Sequence, residues 1–179
     1  MRKVIKKLFE AWNFDKEEKW LNEMAAKGLC LVAVGFCRYE FEECLPGEYT
    51  IRLELLEHQP SHPESAQYIA FMEETGAEQV GSYMRWVYFR KKTSEGAFEL
   101  FSVFDSRIRH LKRIISLIGV LAGLNLGLGI YNIGVFFMLE TAINLVGFIS
   151  IAIGFWALWG TLRLIKKKKM LVREKQIFE

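Results

Sequence analysis

An α+β domain followed by a two-helix transmembrane hairpin is the fold class this sequence predicts, and three observations predict it. Residues 114–139 run 26 positions without a charged side chain, and 141–162 add 22 more. About 20 apolar residues cross the hydrocarbon core of a bilayer, so both runs are long enough to span it. Ahead of them, residues 1–113 hold 17 Lys/Arg against 18 Asp/Glu and alternate between helical and strand patterning. That patterning occurs twice. Trp20-Leu-Asn-Glu-Met-Ala-Ala-Lys-Gly28 sets above Tyr68-Ile-Ala-Phe-Met-Glu-Glu-Thr-Gly76, with Val32 above Val80 and Phe41 above Phe89. Self-similarity at a fixed offset points to a duplicated unit. The expected division is a cytoplasmic α+β domain over 1–110, with repeats at about 15–57 and 64–104. A hairpin over 111–165 and a basic tail over 166–179 complete the chain.

The elements follow in order. Val4–Phe9 is a candidate leading strand. Asp15 is placed to cap the first helix, with Glu17 and Glu18 in its first turn, near the positive dipole end. Trp20, Leu21, Met24 and Ala25 form its apolar stripe, and Gly28 ends it. Strands are expected at Leu31–Val34 and Arg38–Glu42, then at Tyr49–Leu55 beyond the Pro46-Gly47 turn. In the last of these Tyr49, Ile51, Leu53 and Leu55 alternate with polar residues, the pattern of a sheet with one wet face. A second helix after Pro63 carries Tyr68, Ile69, Phe71 and Met72 and stops at Gly76. Glu78–Tyr83, Trp86–Lys91 and Ala97–Val103 are the strands of the second half. Together these predict a largely antiparallel sheet with two helices on one face.

The stretch Ala11-Trp-Asn-Phe-Asp-Lys-Glu-Glu-Lys-Trp-Leu-Asn-Glu-Met-Ala-Ala-Lys-Gly28, followed by Phe36–Phe41 and Pro46–Tyr49, resembles the bacterial domain of unknown function 2812 family. Gly81-Ser-Tyr-Met-Arg-Trp-Val-Tyr-Phe-Arg90 carries the resemblance into the second half, so that it covers roughly residues 1–110. Where such members commonly have an aromatic after the first helix's Gly-x, this chain has Cys30. The resemblance implies a small membrane protein of Gram-positive bacteria in a regulatory neighbourhood, often encoded beside a PadR-type regulator. It implies no activity and brings no catalytic residues.

Orientation and packing of the hairpin are legible from charge and small residues. Arg107, Arg109, Lys112 and Arg113 precede the first run; Arg163 and Lys166, Lys167, Lys168 and Lys169 follow the second. Positive residues stay on the cytoplasmic side, so both termini are expected there and the turn at Glu140 outside. The four lysines also suit anionic lipid. The first ten residues lack the apolar core of a signal peptide. Gly119, Gly123 and Gly127 share one face of the first span, as do Asn125 and Asn132, and Gly147, Ser150 and Gly154 line the second. Such faces allow close helix approach and amide hydrogen bonds. They are read as packing within the hairpin, and as contacts with a second copy or another membrane protein.

Chemistry is sparse. The near-neutral first segment lacks the basic face that nucleic acid requires. No phosphate loop and no nucleophile–base arrangement occurs, so no catalytic residue is assigned. Cys30, Cys37 and Cys44 are seven apart with no Cys-x-x-Cys pair, and a structural or incidental role is read for all three. His58 and His62 stand four apart, but Pro60 and Pro63 preclude the helix that would give this spacing meaning. The segment is read as a polar loop; no metal and no cofactor are expected. Tyr83, Trp86 and Tyr88, with Trp12, Phe14 and Trp20 near, are candidate ligand-binding residues. The preferred reading is core, since a small domain needs large side chains. The expected function is that of a non-enzymatic membrane protein whose cytoplasmic domain binds a partner or ligand. An accessory transporter subunit and a small-ligand sensor are the alternatives.

Overall fold

The computed structural model describes residues 2–98, 100, 104–139 and 145–178. The chain divides into two compact units, Met1–Ser102 and Val103–Glu179.

The first unit is α+β. Its elements are β1 (Lys3–Lys6), a 3-10 turn (Ala11–Asn13), α1 (Phe14–Ala26), β2 (Leu29–Gly35), β3 (Arg38–Glu43), β4 (Tyr49–Leu55), α2 (Pro63–Glu74), β5 (Glu78–Tyr83) and β6 (Trp86–Lys92). The order β-α-β-β thus occurs twice. Each half makes its own antiparallel three-stranded sheet with the same strand order: β1-β3-β2 in one, β4-β6-β5 in the other. Both halves also carry a register shift at the same place, between Leu31 and Ala33 and between Gln79 and Gly81. Glycines Gly28 and Gly76 leave the two helices at φ +78° and +86°, a conformation that favours residues without a Cβ.

Several boundaries differ from the sequence reading, each for a physical reason. The 3-10 turn extends the helical segment backwards, so α1 opens at Phe14 behind Asn13 and Asp15 lies inside it. β4 leads the second half rather than closing the first, because β6 offers it a full antiparallel register from Tyr49↔Lys92 to Leu55↔Trp86. No strand forms at residues 96–98: Thr93–Glu95 turns into a short 3-10 helix, and residues 99 and 101–103 lie outside the described residues. The two helices are not on one face. Alternate residues of β6 point to opposite sides. Tyr88 joins the core of α1, with Leu21, Leu31, Tyr39, Phe41, Ile51 and Leu53, whereas Val87 and Phe89 join that of α2, with Ile69 and Met72. Leu21, Leu31, Phe41 and Ile51 are fully buried. Each such side chain contributes roughly 1.5–3 kcal/mol by leaving water.

α1 also completes the second sheet. β4 is an edge strand, and its free backbone faces the helix. Asn22 donates from Nδ2 to the Ile51 carbonyl at 2.9 Å and accepts the Ile51 N–H at 2.9 Å. Two residues on, Glu18 accepts the Leu53 N–H at 3.1 Å and pairs with Arg52. The other edge of this sheet, β5, comes close to β2: a Cβ on Gly81 would stand 3.0 Å from Val34 Cγ2. Cys30 and Cys44 are disulfide-bonded with Cα atoms 5.9 Å apart, a pairing the spacing of seven does not announce. The β2–β3 hairpin produces it by setting Cys30 opposite Glu42, two residues before Cys44.

The second unit is a pair of long helices, α3 (Phe104–Leu139) and α4 (Leu145–Phe178). Both are long and apolar enough to cross a membrane. The turn expected at Glu140 lies outside the described residues. At about 1.5 Å per residue each helix exceeds 50 Å, well beyond a hydrocarbon core of about 30 Å. α4 therefore continues as helix through the four lysines, and its last turns lie beside the start of α3. There Lys175 donates to both Asp105 oxygens at 2.9 Å.

Candidate functional site

The least ordinary group in the first unit is a buried carboxylate. Glu17 sits in the first turn of α1, one helical turn before Leu21, and is 8% exposed. It accepts hydrogen bonds from two phenols at one oxygen: Tyr39 Oη to Oε1 at 2.7 Å and Tyr88 Oη to Oε1 at 2.6 Å. Tyr39 comes from β3 of the first sheet and Tyr88 from β6 of the second. The carboxylate thus ties one helix to both sheets, which is why the site requires the whole fold. Burial raises the Glu17 pKa above its ordinary value, and the two phenol hydrogen bonds oppose that rise without cancelling it. Burial and the adjacent carboxylate push both tyrosines well up, so they remain protonated donors.

Aromatic rings pack against the Tyr39 member of this group. Trp20 lies edge-on to Tyr39 at 5.1 Å and to Phe41 at 5.8 Å, and Phe9 is 5.5 Å from Trp20. Across the core, Trp86 meets Phe14 at 6.0 Å. Phe9, Trp20, Phe14 and Trp86 are half-buried. The Lys7 ammonium stands over this surface, 4.8 Å from the Phe9 ring and 4.5 Å from that of Trp20. Rings of this kind attract cations through their quadrupole.

The residues expected from the sequence separate here. Tyr83, Trp86 and Tyr88 share a face of the second sheet, because Tyr83 and Trp86 are cross-strand partners. Their contacts differ, however: Tyr83 lies against Phe36 at 5.6 Å, Trp86 against Phe14, and Tyr88 alone reaches Glu17. An open groove of about 440 Å³, lined by Asp15, Glu18, Asn22 and Glu23 of α1 and by Arg52 of β4, involves none of the three. Glu17 and Tyr39 were not singled out by sequence. The signal was present, since Glu17, Leu21, Met24 and Ala25 follow the i, i+4, i+7, i+8 spacing of a buried stripe.

In the second unit, the glycines divide into two sets. Gly129, Gly147 and Gly154 make the close approach of the helices. A Cβ on Gly154 would stand 2.7 Å from Leu126, one on Gly147 3.1 Å from Asn132, and one on Gly129 would collide with Ile151. Gly119 is looser, a Cβ there standing 3.9 Å from Thr161, while a Cβ on Gly123, Gly127 or Gly134 would meet no atom of another element within 4 Å among the described residues. Asn125 and Asn132 donate to carbonyls of their own helix, Leu121 and Leu128, and Ser150 is half-buried. Lys166 and Lys169 are exposed, Lys167 and Lys168 half-buried.

No curated protein and no solved structure matches this chain. Residues 13–122 do match the family model described as protein of unknown function (DUF2812). The matched span holds α1, β2 to β6, α2 and the first half of α3, including all three members of the Glu17–Tyr39–Tyr88 group. With well over half of its length inside that model, this chain belongs to the DUF2812 family.

Proposed function

We propose that this protein is a non-enzymatic integral membrane protein that binds a ligand or partner through its first unit, in a regulatory role. α3 and α4 are its anchor. Basic residues before α3's apolar run and after α4's favour both termini on the cytoplasmic side of the cell membrane. The repeated strand order, paired register shifts and paired glycines favour descent of the first unit from a duplicated β-α-β-β element.

One observation carries the binding role: Glu17 is buried, and its hydrogen-bond partners among the described residues are two neutral phenols. A carboxylate withheld from water gains most from a positive charge brought to it. The aromatic wall adds affinity for the same charge, as the position of Lys7 illustrates. The ligand class that suits both is an apolar organic cation. Tyr39 and Tyr88, held protonated, orient the carboxylate without competing for the cation.

The probe is tetraphenylphosphonium, compared with tetraphenylborate, which has the same shape and opposite charge. Full-length protein in nanodiscs should show saturable quenching of tryptophan fluorescence by the cation alone, above that of protein-free discs. Glu17→Gln should abolish it. Equal binding of both ions, or binding indifferent to Glu17→Gln, would refute the reading.

A second reading has its own observation. Gly123, Gly127 and Gly134 leave one face of α3 open. Through that face the spans would join a second copy or a transporter complex, making this chain an accessory subunit.

A further inference from the structure

We propose that His58, His62 and Glu64 form a binding site for a divalent transition ion of the zinc class. His58 and His62 lie in the connection from β4 to α2 and Glu64 in the first turn of α2, remote in role from Glu17 and independent of the reading given for it. One ligand atom from each lies within 4.8 Å of the others. His58 Nε2 is 3.4 Å from Glu64 Oε2, and the two imidazole rings stack at 4.1 Å. Two imidazoles and a carboxylate are the donors that such ions prefer, and three protein ligands leave a position for water or a fourth group.

The backbone beneath the three donors is fixed. The His62 N–H donates to the Gln59 carbonyl at 2.9 Å, and the His62 carbonyl accepts the first-turn N–H of Ala66 at 2.9 Å. Pro63 at the first position of α2 locks the next dihedral. The Ser65 hydroxyl donates to the His58 carbonyl at 3.3 Å, and Arg85 Nη1 to the Glu57 carbonyl at 2.7 Å. The prolines that deny this segment a regular helix therefore set its two histidines side by side by another route.

The side chains remain free to close. His58 and Glu64 side chains are 42% and 76% exposed. Two donors on one tetrahedral zinc ion stand roughly 3.3 Å apart, given bonds of about 2.0 Å. The rings are 25° from parallel, so rotation of the His58 ring is needed to converge the lone pairs. His62 Nδ1 accepts the Glu64 N–H at 3.4 Å, a long and weak bond. Ligation through His62 Nε2 moves the ring proton to Nδ1 and gives up that bond.

Full-length protein without an oligohistidine tag, in nanodiscs, is titrated with Co²⁺ and Zn²⁺. Expected is one ion per chain at micromolar metal, with a ligand-field spectrum of nitrogen and oxygen ligation. Millimolar Mg²⁺ should not displace it. His58→Ala with His62→Asn should abolish binding; asparagine is a good N-cap, so α2 is kept, and circular dichroism verifies this. Glu64→Gln should weaken binding by about tenfold or more. Binding that survives the histidine changes, a thiolate charge-transfer band lost in Cys30→Ser, or no binding at micromolar metal would each overturn the proposal.

Discussion

Glu17 has a position that favours a carboxylate and an environment that penalises one. The first turn of α1 presents free N–H groups and a positive dipole end, which suit an acid. The same position lies on the helix's apolar stripe, so folding removes the acid from water. Burial raises its pKa, and the folded chain therefore keeps a proton there at pH values where the unfolded chain has lost it. Stability from this group is full below the ordinary carboxylate range and is lost as pH rises through the raised value. Thermal unfolding followed from pH 4 upward should accordingly show a decline that Glu17→Gln flattens, since the amide oxygen still accepts both phenols and carries no charge. Replacing Tyr88 by Phe removes one of the two donors and should lower stability by about 1–3 kcal/mol in the same assay. The apolar members of this core were legible from periodicity; Glu17 was not, because a first-turn acid already has a sufficient local explanation. Tyr39 was hidden for a different reason. Its partner is 22 residues away, and no local pattern records that contact.

At the scale of elements, type was legible and allegiance was not. Both helices, their glycine stops and the two hairpins follow from local signals. The alternation in β4 says that it is a strand and not which strand it pairs with, so the sequence sets it with β2 and β3 while the structure pairs it with β6. The two long apolar helices show the same limit: a sequence places glycines on faces but does not say which face is covered. The structure assigns Gly129, Gly147 and Gly154 to contact between α3 and α4 and leaves Gly123 and Gly127 open. Gly154→Leu should therefore unseat the hairpin itself and lower expression and thermal stability. Gly123→Leu with Gly127→Leu should preserve the folded hairpin while abolishing any larger assembly, read as the mass of the nanodisc-extracted complex. An assembly unchanged by the paired substitution would rule out that face as its interface.

For the whole molecule, compartment and covalent state are linked. Under the orientation proposed above, the first unit would lie in the reducing cytoplasm, where a Cys30–Cys44 bridge would not persist. Rapid alkylation of living cells should find Cys30, Cys37 and Cys44 all as thiols, with Cys30 and Cys44 forming the bridge only after lysis in air. A bridge already present in cells would argue for the opposite topology. Fold class and the two apolar runs were open to sequence reading because both depend on composition over tens of residues. The pairing of β4 with α1 was not, because it rests on two polar side chains meeting a backbone about 30 positions away. That meeting bears on solubility. An exposed strand edge is a template on which other chains can add, and β-proteins commonly blunt it with charge, proline or closure. Here Asn22 and Glu18 occupy the hydrogen-bonding positions a neighbouring strand would use, so sheet growth ends within the molecule, at a helix acting as the last strand.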